Sequence, residues 1–221
     1  MKKAKKKNNI TELVFIIDRS GSMAGFESDT IGGFNSMIEK QKDGDGEVLV
    51  STVLFDNVSE VIHDRVPIGE VKPMTREDYS ARGCTALLDA IGGAISHVGT
   101  IHKYARPEDV PENTIFVITT DGMENASHNY SSDDVKKMVK LKTKEQGWEF
   151  IFVAANIDAI ETAGNIGISR DRAAEYRQTS RGYTECYEAM SSFVTMKREA
   201  ESILNIDASW KKSLEENDEE C

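Results

Sequence analysis

Apolar and polar positions fall into blocks along the chain. Residues 13–17 are an unbroken apolar run that stops at Asp18, the pattern of a strand covered on both faces. A polar, glycine-containing stretch over 19–29 follows, and then Ile31, Phe34, Met37 and Ile38 recur at helical spacing. Asp43-Gly44-Asp45-Gly46 breaks that helix. Residues 48–55 and 58–66 read as two strands. The turn at Asp56-Asn57 between them is too short for a crossover helix, so the pair is antiparallel. From Thr85 the period is helical again, with Leu87, Leu88, Ile91, Ile95 and Val98 on one stripe. Gly92-Gly93 inside it points to close packing of that helix on the sheet. Residues 114–119 form a buried strand that closes on Thr120-Asp121-Gly122. Ser131 to Asp134 supply N-cap residues for a helix through Lys144, with Val135, Met138, Val139 and Leu141 as its core stripe and Gly147 as its stop. Residues 150–155 make another strand, 159–163 a short helix, 173–178 an edge strand and 183–200 a last helix.

Strands that alternate with helices imply an α/β fold, a three-layer Rossmann-like sandwich. Its central sheet is mostly parallel, with one antiparallel edge strand and helices on both faces. One domain is expected over 10–205, between a basic arm (1–9) and a loose acidic tail (206–221). Charge sharpens this division. Five lysines lie within the first seven residues and five acids at 215–220, and these cancel, so the body carries the whole net charge of −11. An acidic body argues against nucleic acid, whose phosphates need a positive face. The apolar runs are too short to span a bilayer, and the lysines at the start have no apolar segment after them, as a signal peptide would. Cys84, Cys186 and Cys221 form no paired framework, which fits a reducing, cytoplasmic setting.

In open parallel sheets, ligands bind beyond the carboxyl ends of the strands where strand order reverses. Asp18 and Asp121 close two strands that are natural neighbours at such a point. Asp18 opens Asp18-Arg19-Ser20-Gly21-Ser22, in which Gly21 permits a turn that aims both hydroxyls into one pocket. Thr85, after Arg82-Gly83-Cys84, can bring a third hydroxyl there. Three hydroxyls, two carboxylates and water make an all-oxygen shell of low charge, suited to Mg2+ or Mn2+ rather than Zn2+. Such a shell leaves the ion electropositive, so a Glu or Asp carboxylate of a protein partner can complete it. Arg19 and Met23 fill variable slots, Arg19 facing either a partner or solvent. Asp56 reads as a turn residue near the site. Glu124 and Asn125 either shape the partner surface or belong to a solvated loop.

Asp-x-Ser-x-Ser after the first strand, a Thr at the opening of a helix and Thr-Asp-Gly after a later strand resemble the von Willebrand factor A (vWA) family. The run Val14-Phe15-Ile16-Ile17-Asp18-Arg19-Ser20-Gly21-Ser22-Met23 is similar to its bacterial intracellular members. The resemblance covers nearly the whole chain and implies the family's metal-ion-dependent adhesion site (MIDAS). On that resemblance Ser20 and Ser22 bind the metal directly and Thr85 directly or nearly so, while Asp18 and Asp121 hold metal-bound waters. It also implies a non-enzymatic interaction module, and, since some members work beside ring ATPases, an accessory component of an intracellular assembly.

The competing enzyme reading is a Mg2+ phosphotransferase or phosphatase of haloacid dehalogenase type, which also puts an Asp at the end of a first strand. It needs a second acid two residues on, where this chain has Ser20. No dinucleotide or P-loop glycine pattern follows the first strand, and no Gly-x-Ser-x-Gly elbow appears. Asp43 to Glu47 look like the start of an EF-hand loop, but the twelfth position is Leu54, not glutamate.

Overall fold

The structure is a computed structural model that describes residues 8–200 and 206–216. The lysines of the expected basic arm, and Asp218, Glu219 and Glu220 of the expected acidic tail, lie outside the described residues. Six strands form one sheet: β1 (Ile10–Asp18), β2 (Glu47–Phe55), β3 (Ser59–Pro67), β4 (Asn113–Thr120), β5 (Glu149–Ala154) and β6 (Ala173–Glu175). Their order is β3-β2-β1-β4-β5-β6, parallel throughout except for the antiparallel β3 edge. The chain starts in the middle and winds outward first one way and then the other, so strand order reverses between β1 and β4.

Side chains of a strand alternate between faces, and β1 uses both. Leu13, Phe15 and Ile17 face a layer built from α1 (Glu27–Lys42) and α5 (Ser180–Glu199). Val14 and Ile16 face α2 (Leu87–Tyr104), α3 (Ser132–Gln146) and α4 (Ala159–Asn165). Phe15 meets Phe34 of α1 edge-on at 5.2 Å, and across the sheet Phe116 stacks on Phe150 at 4.9 Å. The three-layer sandwich expected from the pattern is therefore present. No helix among the described residues is long and apolar enough to cross a membrane.

Four local expectations are corrected. β1 begins at Ile10, three residues before the apolar run, and includes the fully buried Glu12, which contacts His102 and, at 3.4 Å, Arg65. β6 ends at Glu175 rather than at Gln178; Tyr176 makes a last bond to Ala154, and the chain then turns toward the carboxyl ends of β1 and β4. Gly92 is needed for the Tyr130 ring, 2.5 Å from where a Cβ would lie, not for the sheet, and Gly93 has open space. Leu141 points outward, while Val135 and Val139 alone of the α3 stripe are fully buried.

The region after Ile206 also differs from a loose tail. A 3-10 turn over Ala208–Lys211 leads into α6 (Lys212–Glu216), and Ile206, Trp210 and Leu214 sink into the α1/α5 layer. Trp210 packs edge-on against Phe193 at 5.7 Å, and its indole N–H donates to the Asp171 carbonyl at 2.9 Å.

Candidate metal site

Parallel strands end in loops on one rim of the sheet, and the loops after β1 and β4 meet the segment leading into α2 at the β1/β4 reversal. Asp18 is the last residue of β1 and is fully buried. Its Oδ1 accepts the Ser20 backbone N–H at 2.6 Å, its Oδ2 accepts the Thr120 hydroxyl at 2.6 Å, and its carbonyl accepts the Tyr79 hydroxyl at 2.6 Å. The bond to Ser20 curls the chain into a 3-10 turn over Gly21–Met23, which presents Ser20 and Ser22 side by side with their Oγ atoms 3.0 Å apart. The Ser22 hydroxyl donates to Asp121 Oδ1 at 2.5 Å.

Thr85 lies just ahead of α2, where two carboxylates clamp the loop after β4 to the helix start. Glu124 accepts from the Leu88, Ala126 and Ser127 backbone N–H groups, and Asp89 of α2 accepts from those of His128, Asn129 and Tyr130. Asn125 exchanges two bonds with the Thr85 backbone, 2.9 and 3.0 Å long. The loops that carry Thr85 and Asp121 are therefore tied together by hydrogen bonds.

Gly122 measures the space between them. A Cβ built there would lie 2.9 Å from Thr85 Oγ1, 3.0 Å from Ser22 Oγ and 3.7 Å from Ser20 Oγ. Three hydroxyl oxygens thus converge on one small cradle that glycine leaves open. The Ser22 hydroxyl donates to Asp121, so it accepts in its 3.0 Å contact with Ser20, and its remaining lone pair is left for whatever fills the cradle. The electrostatics agree. Burial pushes the Asp18 carboxyl up to about 6 against the hydrogen bonds from Thr120 and Ser20. Burial also raises Asp121, against those from Ser22 and Gln178. Among the described residues neither carboxylate has an ion-pair partner. Two buried acids without a cation, beneath three convergent hydroxyls, fit a hard divalent ion. Among the described residues no group of three or more His, Cys, Asp or Glu makes a metal cluster, so the hydroxyls are essential to any such site.

No protein-family model and no curated protein sequence matches the chain. Solved structures do. The vWF domain of the type V pili tip protein Mfa5 from Porphyromonas gingivalis aligns with a TM-score of 0.57 and 9% identity, over 89% of this chain and 98% of that one. The ArnB paralog VWA2 from Sulfolobus acidocaldarius aligns with a TM-score of 0.52 and 17% identity, over 84% and 46%. The fold is that of a vWA domain. Proximal thread matrix protein 1 from the mussel byssus, in a structure with a zinc-occupied MIDAS motif, aligns with a TM-score of 0.57 and 14% identity, over 84% and 46%. The chain spans less than half the length of the mussel and Sulfolobus proteins it resembles. At these identities the likeness is one of fold.

Within this vWA fold, the structure brings together all five residues singled out from the sequence, Asp18, Ser20, Ser22, Thr85 and Asp121. Their neighbours differ from expectation. Arg19 faces neither partner nor solvent; it is buried, with Nε on Asp56 at 2.9 Å and Nη1 on Glu60 at 2.6 Å. Burial alone would raise the Asp56 carboxyl, but the Arg82 hydrogen bond, the Val58 N–H and the charges of Arg19 and Arg82 hold it below the usual range. Asp56 is thus both a turn residue and the anchor of an ion-pair cluster beside the site. Glu124 and Asn125 turn inward as clamps. Gln178 was missed altogether, and its Nε2 donates to Asp121 Oδ2 at 2.6 Å.

Proposed function

We propose that the chain is a metal-dependent protein-interaction module with no chemistry of its own. Ser20, Ser22 and Thr85 hold Mg2+ or Mn2+ through their hydroxyls, and Asp18 and Asp121 orient those hydroxyls and the ion's waters. The observation that carries this reading is the convergence of three hydroxyl oxygens on the cradle at Gly122, above two buried carboxylates. A bound ion would supply electrophilic character at the rim. With neutral hydroxyls as the inner donors, a Glu or Asp side chain of a protein partner is the complementary group. Hard oxygen donors without thiolate or imidazole favour Mg2+ or Mn2+. The free thiols of Cys84 and Cys186 suit a reducing compartment, and we place the module in the cytoplasm as an accessory component of a larger assembly.

The haloacid dehalogenase alternative gains no support. The position of its second acid is Ser20, whose hydroxyl faces Ser22, and the structures that share the fold are vWA domains rather than dehalogenases.

Melting curves test the reading. A ligand that binds the native state stabilises it by RT ln(1 + [L]/Kd), about 2.7 kcal/mol at a hundredfold excess over Kd. Millimolar Mg2+ or Mn2+ is expected to raise the melting temperature of the wild type by several degrees over EDTA. Asp121→Ala and the double variant Ser20→Ala/Ser22→Ala are expected to melt alike in both. A shift that these variants retain, or no shift in the wild type at saturating metal, refutes it.

A further inference from the structure

Gln178 reaches the site from the far side of the sheet, through the turn that follows β6. Its Nε2 donates to Asp121 Oδ2 at 2.6 Å and, at 3.3 Å, to the carbonyl of Ser22. Its own Oε1 accepts from Asn156 Nδ2 at 2.8 Å. Asn156 holds that pose at φ +57°, a left-handed conformation that Asn tolerates better than most residues. The backbone on either side is pinned as well. Tyr176 N–H bonds to Ala154, and Thr179 caps α5 by accepting the Gly182 N–H at 3.1 Å.

Asp121 consequently has one donor on each oxygen, the Ser22 hydroxyl on Oδ1 and the Gln178 amide on Oδ2. The carboxylate torsion of an aspartate is intrinsically soft, so two opposed donors are what fix its plane. With that plane fixed, the Ser22 O–H stays directed at Oδ1 and its free lone pair stays turned to the cradle. The residue type suits the task. A Lys or Arg at this place would set a positive charge beside a bound cation, and a Glu would set a second negative charge against Asp121. An amide donates without adding charge. Resting on the metal-site reading above, we infer that Gln178 is a positioning residue of the metal site, acting through Asp121 and itself held by Asn156.

The alternative is that Gln178 merely staples loops together, and Mn2+ affinity separates the two. The full chain is titrated with Mn2+, and free ion is followed by its electron paramagnetic resonance signal; melting in EDTA is recorded in parallel. Removing a partner of a metal-site group typically weakens metal binding 10- to 100-fold. Gln178→Ala, and Gln178→Met, which keeps the length but not the donor, are expected to bind Mn2+ roughly 10-fold more weakly. Asn156→Gly, which keeps the left-handed backbone but frees the amide, is expected to weaken it by less than loss of the donor itself. Gln178→Met is expected to melt in EDTA within about 2 °C of the wild type.

The inference is overturned if both Gln178 variants bind Mn2+ as tightly as the wild type or more tightly. It is also overturned if Gln178→Ala weakens binding and Gln178→Met does not, since shape rather than the donor would then matter. Asp121→Ala tells this failure from that of the parent reading. If it loses the ion while the Gln178 variants keep it, only the role of Gln178 falls. If it binds like the wild type, the site itself is misassigned and the role of Gln178 falls with it.

Discussion

Asp18 lies beneath the hydroxyls with no cation bonded to it, and burial pushes its carboxyl up to about 6. A carboxyl whose folded value is raised favours the folded state while protonated. In EDTA its contribution is therefore fully present below about pH 4 and is lost as pH rises through 6, a change of about 3 kcal/mol for roughly two units. Asp121 is raised in the same direction. A divalent ion needs both carboxylates ionised, so the stabilisation by Mg2+ should be small at pH 5 and grow to its full size by pH 7. Melting with and without Mg2+ over that range checks this, and an increment independent of pH would contradict it. At this scale the five oxygen-bearing residues were legible because hydroxyl and carboxylate types recur at strand ends in a fixed order. What a sequence does not carry is direction. Arg19 turns inward because Asp56 and Glu60, far along the chain, close over it, and nothing next to Gln178 marks it as a neighbour of Asp121.

The elements followed their patterns wherever a stripe was long. β1, β2, β4 and β5 are apolar runs, and α2 keeps Leu87, Ile91, Ile95 and Val98 on its buried face. α3 carries a capping box between Ser131 and Asp134 and ends at Gly147 in the left-handed region, as its signals implied. Short elements were harder to read. β6 has three residues, too few for a period, and its expected continuation is the turn that delivers Gln178. The segment 206–216 did hold a signal, since Ile206, Trp210 and Leu214 recur every fourth residue; the charged residues among them made it look like a solvated tail. Its anchoring is measurable. Trp210 is buried against Phe193, so Trp210→Ala should lower stability by about 3–5 kcal/mol in denaturant unfolding. A loss below about 1 kcal/mol would mean that the segment detaches without consequence for the core.

The whole molecule pairs a sheet reversal with a charge pattern that works against long-range attraction of an acidic partner. The chain carries a net −11, yet the proposed partner presents a carboxylate. Long-range attraction is therefore not what would bring the two together, and recognition falls to the local field of an ion held mainly by neutral hydroxyls. The architecture supplies what such a site requires. β1 and β4 set Asp18 and Asp121 side by side, α2 brings Thr85 to the same rim, and the Glu124 and Asp89 clamps keep the loops from drifting apart. The fold class was legible in the alternation of strands with helices, and the expected place of the site in the hydroxyl and carboxylate residues at the strand ends, whereas the clamps depend on side chains that meet only after the chain has folded. The most direct test of the central claim is an anomalous difference map from crystals soaked in Mn2+. The account predicts one strong peak in the cradle beside Gly122, roughly 2.1 Å from the hydroxyl oxygens of Ser20 and Ser22. An empty cradle at saturating Mn2+, or an ion bound elsewhere and not there, would contradict it.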